Sequence, residues 1–77
     1  MNINILVFGQ LYDIIHQVEL HISDVKDSRE LIQKLDKMFP KLAEVKYALA
    51  INKKIIHKNT LLNDNDIVAL LPPFSGG

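Results

Sequence analysis

An α+β fold is predicted: a mixed sheet of about five strands, one main helix packed on one face, and short helical turns. Three observations predict it. Across 77 residues the apolar segments run strand, strand, helix, strand, short strand, strand, and joining such elements by short, uncrossed connections leaves one sheet under one helical layer. Residues 2–8 are apolar on both sides, which marks a central strand. One segment carries a sustained helical stripe with a start signal in front of it. The length suits a single domain, close to the lower size of an unstapled core.

In the first strand Ile3, Ile5 and Val7 share one face, Leu6 and Phe8 the other. Gly9 breaks it, and Leu11, Ile14 and Ile15 follow at the spacing of one or two helical turns. The alternation of Val18-Glu19-Leu20-His21-Ile22 places Val18, Leu20 and Ile22 inward and Glu19 and His21 toward water. Asp27, three residues ahead of Glu30, is an Asx form of the capping box and satisfies orphan amides at a helix start. Leu31, Ile32, Leu35, Met38 and Phe39 are the stripe of that helix, which Pro40 ends. Leu42 and Val45 fall in a connection without an assigned conformation. Residues 47–51 read as a third strand, 52–54 as its turn and 55–56 as a short fourth strand. In the polar turn Asn63-Asp64-Asn65-Asp66, Asn65 suits a left-handed conformation. Residues 67–71 form a last strand, apolar on both sides.

The composition narrows the function. The chain contains no cysteine, which excludes disulfides, thiolate metal sites and a cysteine nucleophile, and favours a cytoplasmic home. Nine acidic and nine basic side chains cancel to a formal charge of zero. No broad positive field is present, so neither nucleic acid nor membrane is expected as a partner. The opening MNINILVFG lacks the basic start of a signal peptide and is too short an apolar run to span a bilayer.

Candidate chemistry inside the domain is sparse. His16, His21 and His57 share no ligand spacing, so they are expected to face solvent, and no metal site is expected. The run 63–66 lacks the alternating ligands, central glycine and closing glutamate of a calcium loop. Lys53 and Lys54 in a hairpin are ordinarily just solvated. No glycine-rich phosphate loop is present, and no nucleophile sits on a recognisable sharp turn. An autonomous active site is not expected.

Two of the three glycines and two of the three prolines instead fall in the last six residues, Pro72-Pro73-Phe74-Ser75-Gly76-Gly77. A domain without a cleft takes part in chemistry if its own α-carboxylate is the reacting group. The prolines hold the base of this segment extended, and six extended residues reach roughly 20 Å. Gly76 and Gly77 have no Cβ, so the tip is thin enough for a narrow channel. The plain alternatives are a frayed terminus or a cloning remnant. Neither requires Pro-Pro-Phe fused to a buried strand.

These residues resemble the family of molybdopterin synthase small subunits, sulfur carriers with the ubiquitin-like β-grasp fold. The likeness covers the whole chain. It is carried by the first strand running into Phe8-Gly9-Gln10-Leu11, and above all by Asp64-Asn65-Asp66, the apolar strand, Pro72-Pro73 and Gly76-Gly77. Asn65 stands where the family usually has the turn glycine, Tyr12 where many members carry a basic residue, and Phe74 in place of a more usual valine. The resemblance implies a β-grasp domain over 1–71 with an extended tail over 72–77. It further implies that an adenylating enzyme of the ubiquitin-activating type joins the Gly77 carboxylate to AMP from ATP, with magnesium. A sulfur donor then makes a C-terminal thiocarboxylate, with Gly76 beside the reacting residue and no cofactor bound to the domain itself. In the large synthase subunit, within a heterotetramer of two small and two large subunits, that sulfur passes to a cyclic pyranopterin. The family's partner-facing patch matches Phe8, Ile55 and Leu71, continued by Pro72, Pro73, Phe74 and Ser75. Strand parity agrees, because Leu6 and Phe8 share one side of the first strand, and Ile67, Ala69 and Leu71 one side of the last. The competing reading is that these residues are core. A thiamine-thiazole sulfur carrier and a ubiquitin-like modifier or binding module remain the functional alternatives.

Overall fold

The computed structural model describes residues 2–72, and its elements follow the expected order. β1 (Asn2–Val7) leads through a 3-10 turn, Gly9–Leu11, into the short α1 (Tyr12–Ile15), then β2 (Glu19–Ser23). α2 (Ser28–Met38) is followed by a 3-10 helix, Pro40–Glu44, and by β3 (Ala48–Ile51), β4 (Lys54–Ile55) and β5 (Ile67–Leu71). The sheet order is β2-β1-β5-β3-β4. β1 and β5 pair in parallel at the centre, and the other pairs are antiparallel. β1 is therefore bonded on both edges, as its two apolar sides require.

The face of the sheet toward α2 is the core. Ile3, Ile5, Val68, Leu70, Leu31 and Leu35 are wholly buried there, and sealing each such side chain contributes about 1.5–3 kcal/mol. α2 starts where expected: the Asp27 carboxylate accepts from the Glu30 amide at 2.9 Å. Glu30 reaches back one residue further than in the usual box, to the Lys26 amide at 2.9 Å. A distant residue completes the cap. Asn59 accepts from the Arg29 amide at 2.8 Å and donates to Asp27 at 3.2 Å.

The turn at the start of β5 has the same character. Asn65 is left-handed (φ 69°) as its residue type suggested. The buried Asp66 accepts from the Asn63 amide at 2.8 Å and from the Asn52 side chain at 2.9 Å. Asn52 in turn accepts from the Ile67 amide at 3.1 Å, so the β3–β4 hairpin is fastened to β5. That hairpin is tighter than expected. Only Asn52 and Lys53 form the loop, both with positive φ (48° and 76°), the arrangement whose twist matches the strands, and β4 begins at Lys54.

Three inward assignments are overturned. Val18 is 69% exposed, because it lies at a bend before the first paired residue of β2, Glu19. Ile32 is exposed, sitting about 100° around the helix from Leu31. Met38 is exposed at the last helical position, and the wholly buried Leu42 of the following 3-10 helix covers that end of the core instead. Tyr47 precedes β3 rather than opening it, and its hydroxyl donates to Asp36 at 3.1 Å. Burial, reinforced by the Asp36 charge, raises that phenol well above its ordinary value.

Candidate docking face and tail root

The side of the sheet away from α2 carries no second layer among the described residues. Register places its side chains in rows. Glu19, Leu6, Ala69, Ala50 and Ile55 align across all five strands, with His21, Asn4 and Ile67 on one side of them and Leu71 with Ala48 on the other. The face is thus polar at β2 and at Asn4 of β1, and apolar from Leu6 across β5 and β3 to Ile55 of β4. Phe8, Ile55 and Ile67 are each nearly half exposed, while Leu6, Ala69, Leu71 and Pro72 are half-buried. The core reading of Phe8 and Ile55 fails: a monomer leaves these large apolar groups in water on one contiguous surface, which is the mark of a docking site. Its centre is shallow. Ala50 and Ala69 are directly paired and Ala48 lies alongside, so larger side chains rim three small ones.

Leu71 and Pro72 stand at the edge of this surface, where β5 runs out. The Phe8 amide donates to the Leu70 carbonyl at 3.2 Å, which is the last rung binding the end of β5 to β1. Beyond it, Pro72 lies against Gly9. Gly9 has φ 59°, and a Cβ built on it would stand 2.9 Å from Pro72 Cγ. The sequence reading used Gly9 as a strand breaker and as part of the Phe8-Gly9-Gln10-Leu11 likeness, and assigned it no contact. An exposed aromatic followed by glycine at a strand end was the available signal, but its partner lies at the other end of the chain. Pro73, Phe74, Ser75, Gly76 and Gly77 lie outside the described residues.

Other regions offer less chemistry. His16, His21 and His57 are exposed, as expected. Among the described residues no three histidine, aspartate or glutamate side chains gather as a metal would need, and no helix is long and apolar enough to cross a membrane. A groove of about 350 Å³ between α2 and β3, lined by Arg29, Ile32, Tyr47 and Ile56 among others, reaches Ala48 and His57 but none of Phe8, Gly9, Ile55, Leu71 or Pro72.

The sequence model of the ThiS family matches residues 5–77. The chain belongs to that family. A molybdopterin synthase sulfur carrier subunit from Dictyostelium discoideum is 31% identical over 95% of this chain and 93% of its own length. Among solved structures, a chain in the complex of subunits 1 and 2 of the molybdopterin-converting factor from Helicobacter pylori 26695 is 32% identical, with full coverage of both chains and a TM-score of 0.72. The small archaeal modifier protein 1 from Methanosarcina acetivorans superposes with a TM-score of 0.84 at 24% identity, over 99% of this chain and 96% of that one. This ThiS-family chain accordingly has the ubiquitin-like β-grasp fold that its resemblance implied.

Proposed function

We propose that this protein is the sulfur-carrying small subunit of a molybdopterin synthase, working through the carboxylate of Gly77. The observation that carries the proposal is the unpartnered apolar sheet face that runs from Ile55 through Ala69 to Leu71 and Pro72. It supports a surface that docks on a partner while the tail that follows reaches the partner's interior. The curated relative is a molybdopterin synthase sulfur carrier subunit, and the Helicobacter pylori match sits in a two-subunit complex. Both favour a large-subunit partner here.

In this reading a carboxylate oxygen of Gly77 attacks the α-phosphorus of ATP, held with magnesium by an adenylating enzyme, and pyrophosphate leaves. A free carboxylate is a poor electrophile, and the acyl-adenylate supplies a good leaving group. A sulfur donor displaces AMP and leaves the thiocarboxylate. Docked on the large subunit, that sulfur attacks a carbon of the cyclic pyranopterin phosphate and displaces an oxygen substituent from it; water then cleaves the resulting thioester, leaving the sulfur on the pterin and Gly77 as its carboxylate. Two rounds build the dithiolene. Acid–base groups and pterin contacts belong to the large subunit, two copies of which join two carriers.

The test is intact-mass measurement after incubation with ATP, sulfide and the adenylating enzyme. The expected product carries one sulfur in place of one oxygen, and addition of pyranopterin with the large subunit discharges it. Deletion of Gly77 is expected to abolish both steps while the melting temperature stays within a few degrees of the parent. Full activity of the truncated chain would refute the assignment. The likeness to an archaeal modifier protein motivates a second arm: covalent attachment to lysines, with no discharge by pyranopterin, would mark a modifier. Discharge to a thiazole precursor would mark the thiamine branch.

A further inference from the structure

The contact between Gly9 and Pro72 meets two requirements, and they are separable. Gly9 adopts φ 59°, a left-handed conformation that Asn65 (69°) and Asn52 (48°) also occupy in this chain, so the turn by itself would accept asparagine. Space is the second requirement. A Cβ at Gly9 would stand 2.9, 3.6 and 3.7 Å from Cγ, Cδ and Cβ of Pro72. Only Cγ is closer than ordinary contact, so it is the Cγ corner of the ring that occupies the place a side chain at residue 9 would take. Carbon atoms in ordinary contact are about 3.5–4.0 Å apart, so any side chain at residue 9 displaces the ring by roughly 0.6 Å.

We propose that Gly9 is a positioning residue for the tail: a seat without a side chain, against which the Pro72 ring bears, fixing the direction in which the chain leaves the sheet. This rests on the sulfur-carrier reading and adds to it what aims the carboxylate. Proline has no N–H, so Pro72 cannot extend the β1–β5 ladder beyond the Phe8–Leu70 rung. The ring seat restrains the backbone where the hydrogen bonds stop. The Pro72 ring fixes its φ, the following Pro73 restricts its ψ to extended values, and Gly9 holds its body, which leaves the root of the tail little freedom. A displacement there shifts the point from which the tail starts, and a misplacement of about 1 Å at a reacting group costs up to about a hundredfold in rate.

The experiment is a double-mutant cycle on the full chain, read as steady-state adenylation by the activating enzyme. Gly9→Asn keeps the left-handed turn and fills the seat. Its melting temperature is expected within a few degrees of the parent. Its kcat should fall roughly tenfold to a hundredfold, while the KM for the carrier, set mainly by the part of the docking face away from Pro72, changes by no more than about twofold. Pro72→Ala removes the obstructing ring atoms and loosens the root, lowering kcat a few-fold by itself. In that background Gly9→Asn should have no further effect, the non-additivity expected of two residues in contact. A parent-like kcat for Gly9→Asn, a change in KM alone, or additive losses would overturn the proposal. If Gly9→Asn does not fold, parent-like kcat for Pro72→Ala overturns it. If the parent chain is never adenylated, the sulfur-carrier reading is what fails. The seat is then judged by NMR, where absence of a contact between the Gly9 α-protons and the Pro72 ring overturns it. Presence of that contact, with shift changes in Gly9→Asn running through residues 73–77, supports it.

Discussion

Leu35 is wholly buried beneath the sheet, and a carboxylate placed there has no cation within the core to pair with. Leu35→Asp is expected to abolish cooperative unfolding, and Leu35→Ala to cost about 2–5 kcal/mol in urea titration. At Asn65 the constraint lies in the backbone (φ 69°), so Asn65→Ala should cost about 1 kcal/mol in the same measurement. A fold with parent-like stability in both Leu35 variants would contradict the packing described. These two residues also mark what a sequence discloses at this scale. A buried leucine on a helical stripe and an asparagine in a polar turn are determined by near neighbours, so pattern alone placed both. Asn52, Asn59 and Gly9 answer to residues far along the chain, Asp66, Arg29 and Pro72, and no local pattern announces such partners.

At the level of elements, α2 depends on a cap that titrates. The amide of Glu30 and then the side chain of Asn59 hold the Asp27 carboxyl below its ordinary value of 3.8. A carboxyl whose native pKa is depressed adds stability that is fully present above the unfolded value and is lost as pH falls through the native one. The melting temperature should therefore drop on acidification from about pH 4 downward. Asp27→Asn, which keeps a capping oxygen, should flatten that part of the profile. An unchanged slope would show that other carboxyls govern it. The boundaries of α2 and of β5 were legible because capping residues and proline act locally. The exposed flank was not: Ile32 sits about 100° around the helix from Leu31, and Leu42 covers the core beside Met38, and which flank of an apolar stripe meets the sheet is a tertiary quantity. Val18 failed for a related reason: its carbonyl still accepts from the Val7 amide at 2.9 Å, but the bend leaves its side chain in water.

For the whole molecule, the docking face follows from which surface of the sheet α2 leaves bare. Ile67→Asp and Ile55→Asp are expected to weaken binding to the large subunit at least about tenfold by calorimetry, because each charge would be buried on docking. Thermal stability should hardly change, since both side chains are already half in water. Loss of folding instead would return these residues to the core. Parity disclosed the two sides of the sheet, and the resemblance supplied which side is proposed to meet a partner. Ala69 was placed on that side of the last strand, but its meeting with Ala48 and Ala50 was not foreseen, because only strand register brings residues 48, 50 and 69 together. That register has a temporal consequence as well. β1 is made first and its central neighbour β5 comes last among the described strands, so the growing polypeptide keeps an open, unmatched edge through most of its synthesis. Ribosomal products broken off before residue 67 never acquire the middle of the sheet.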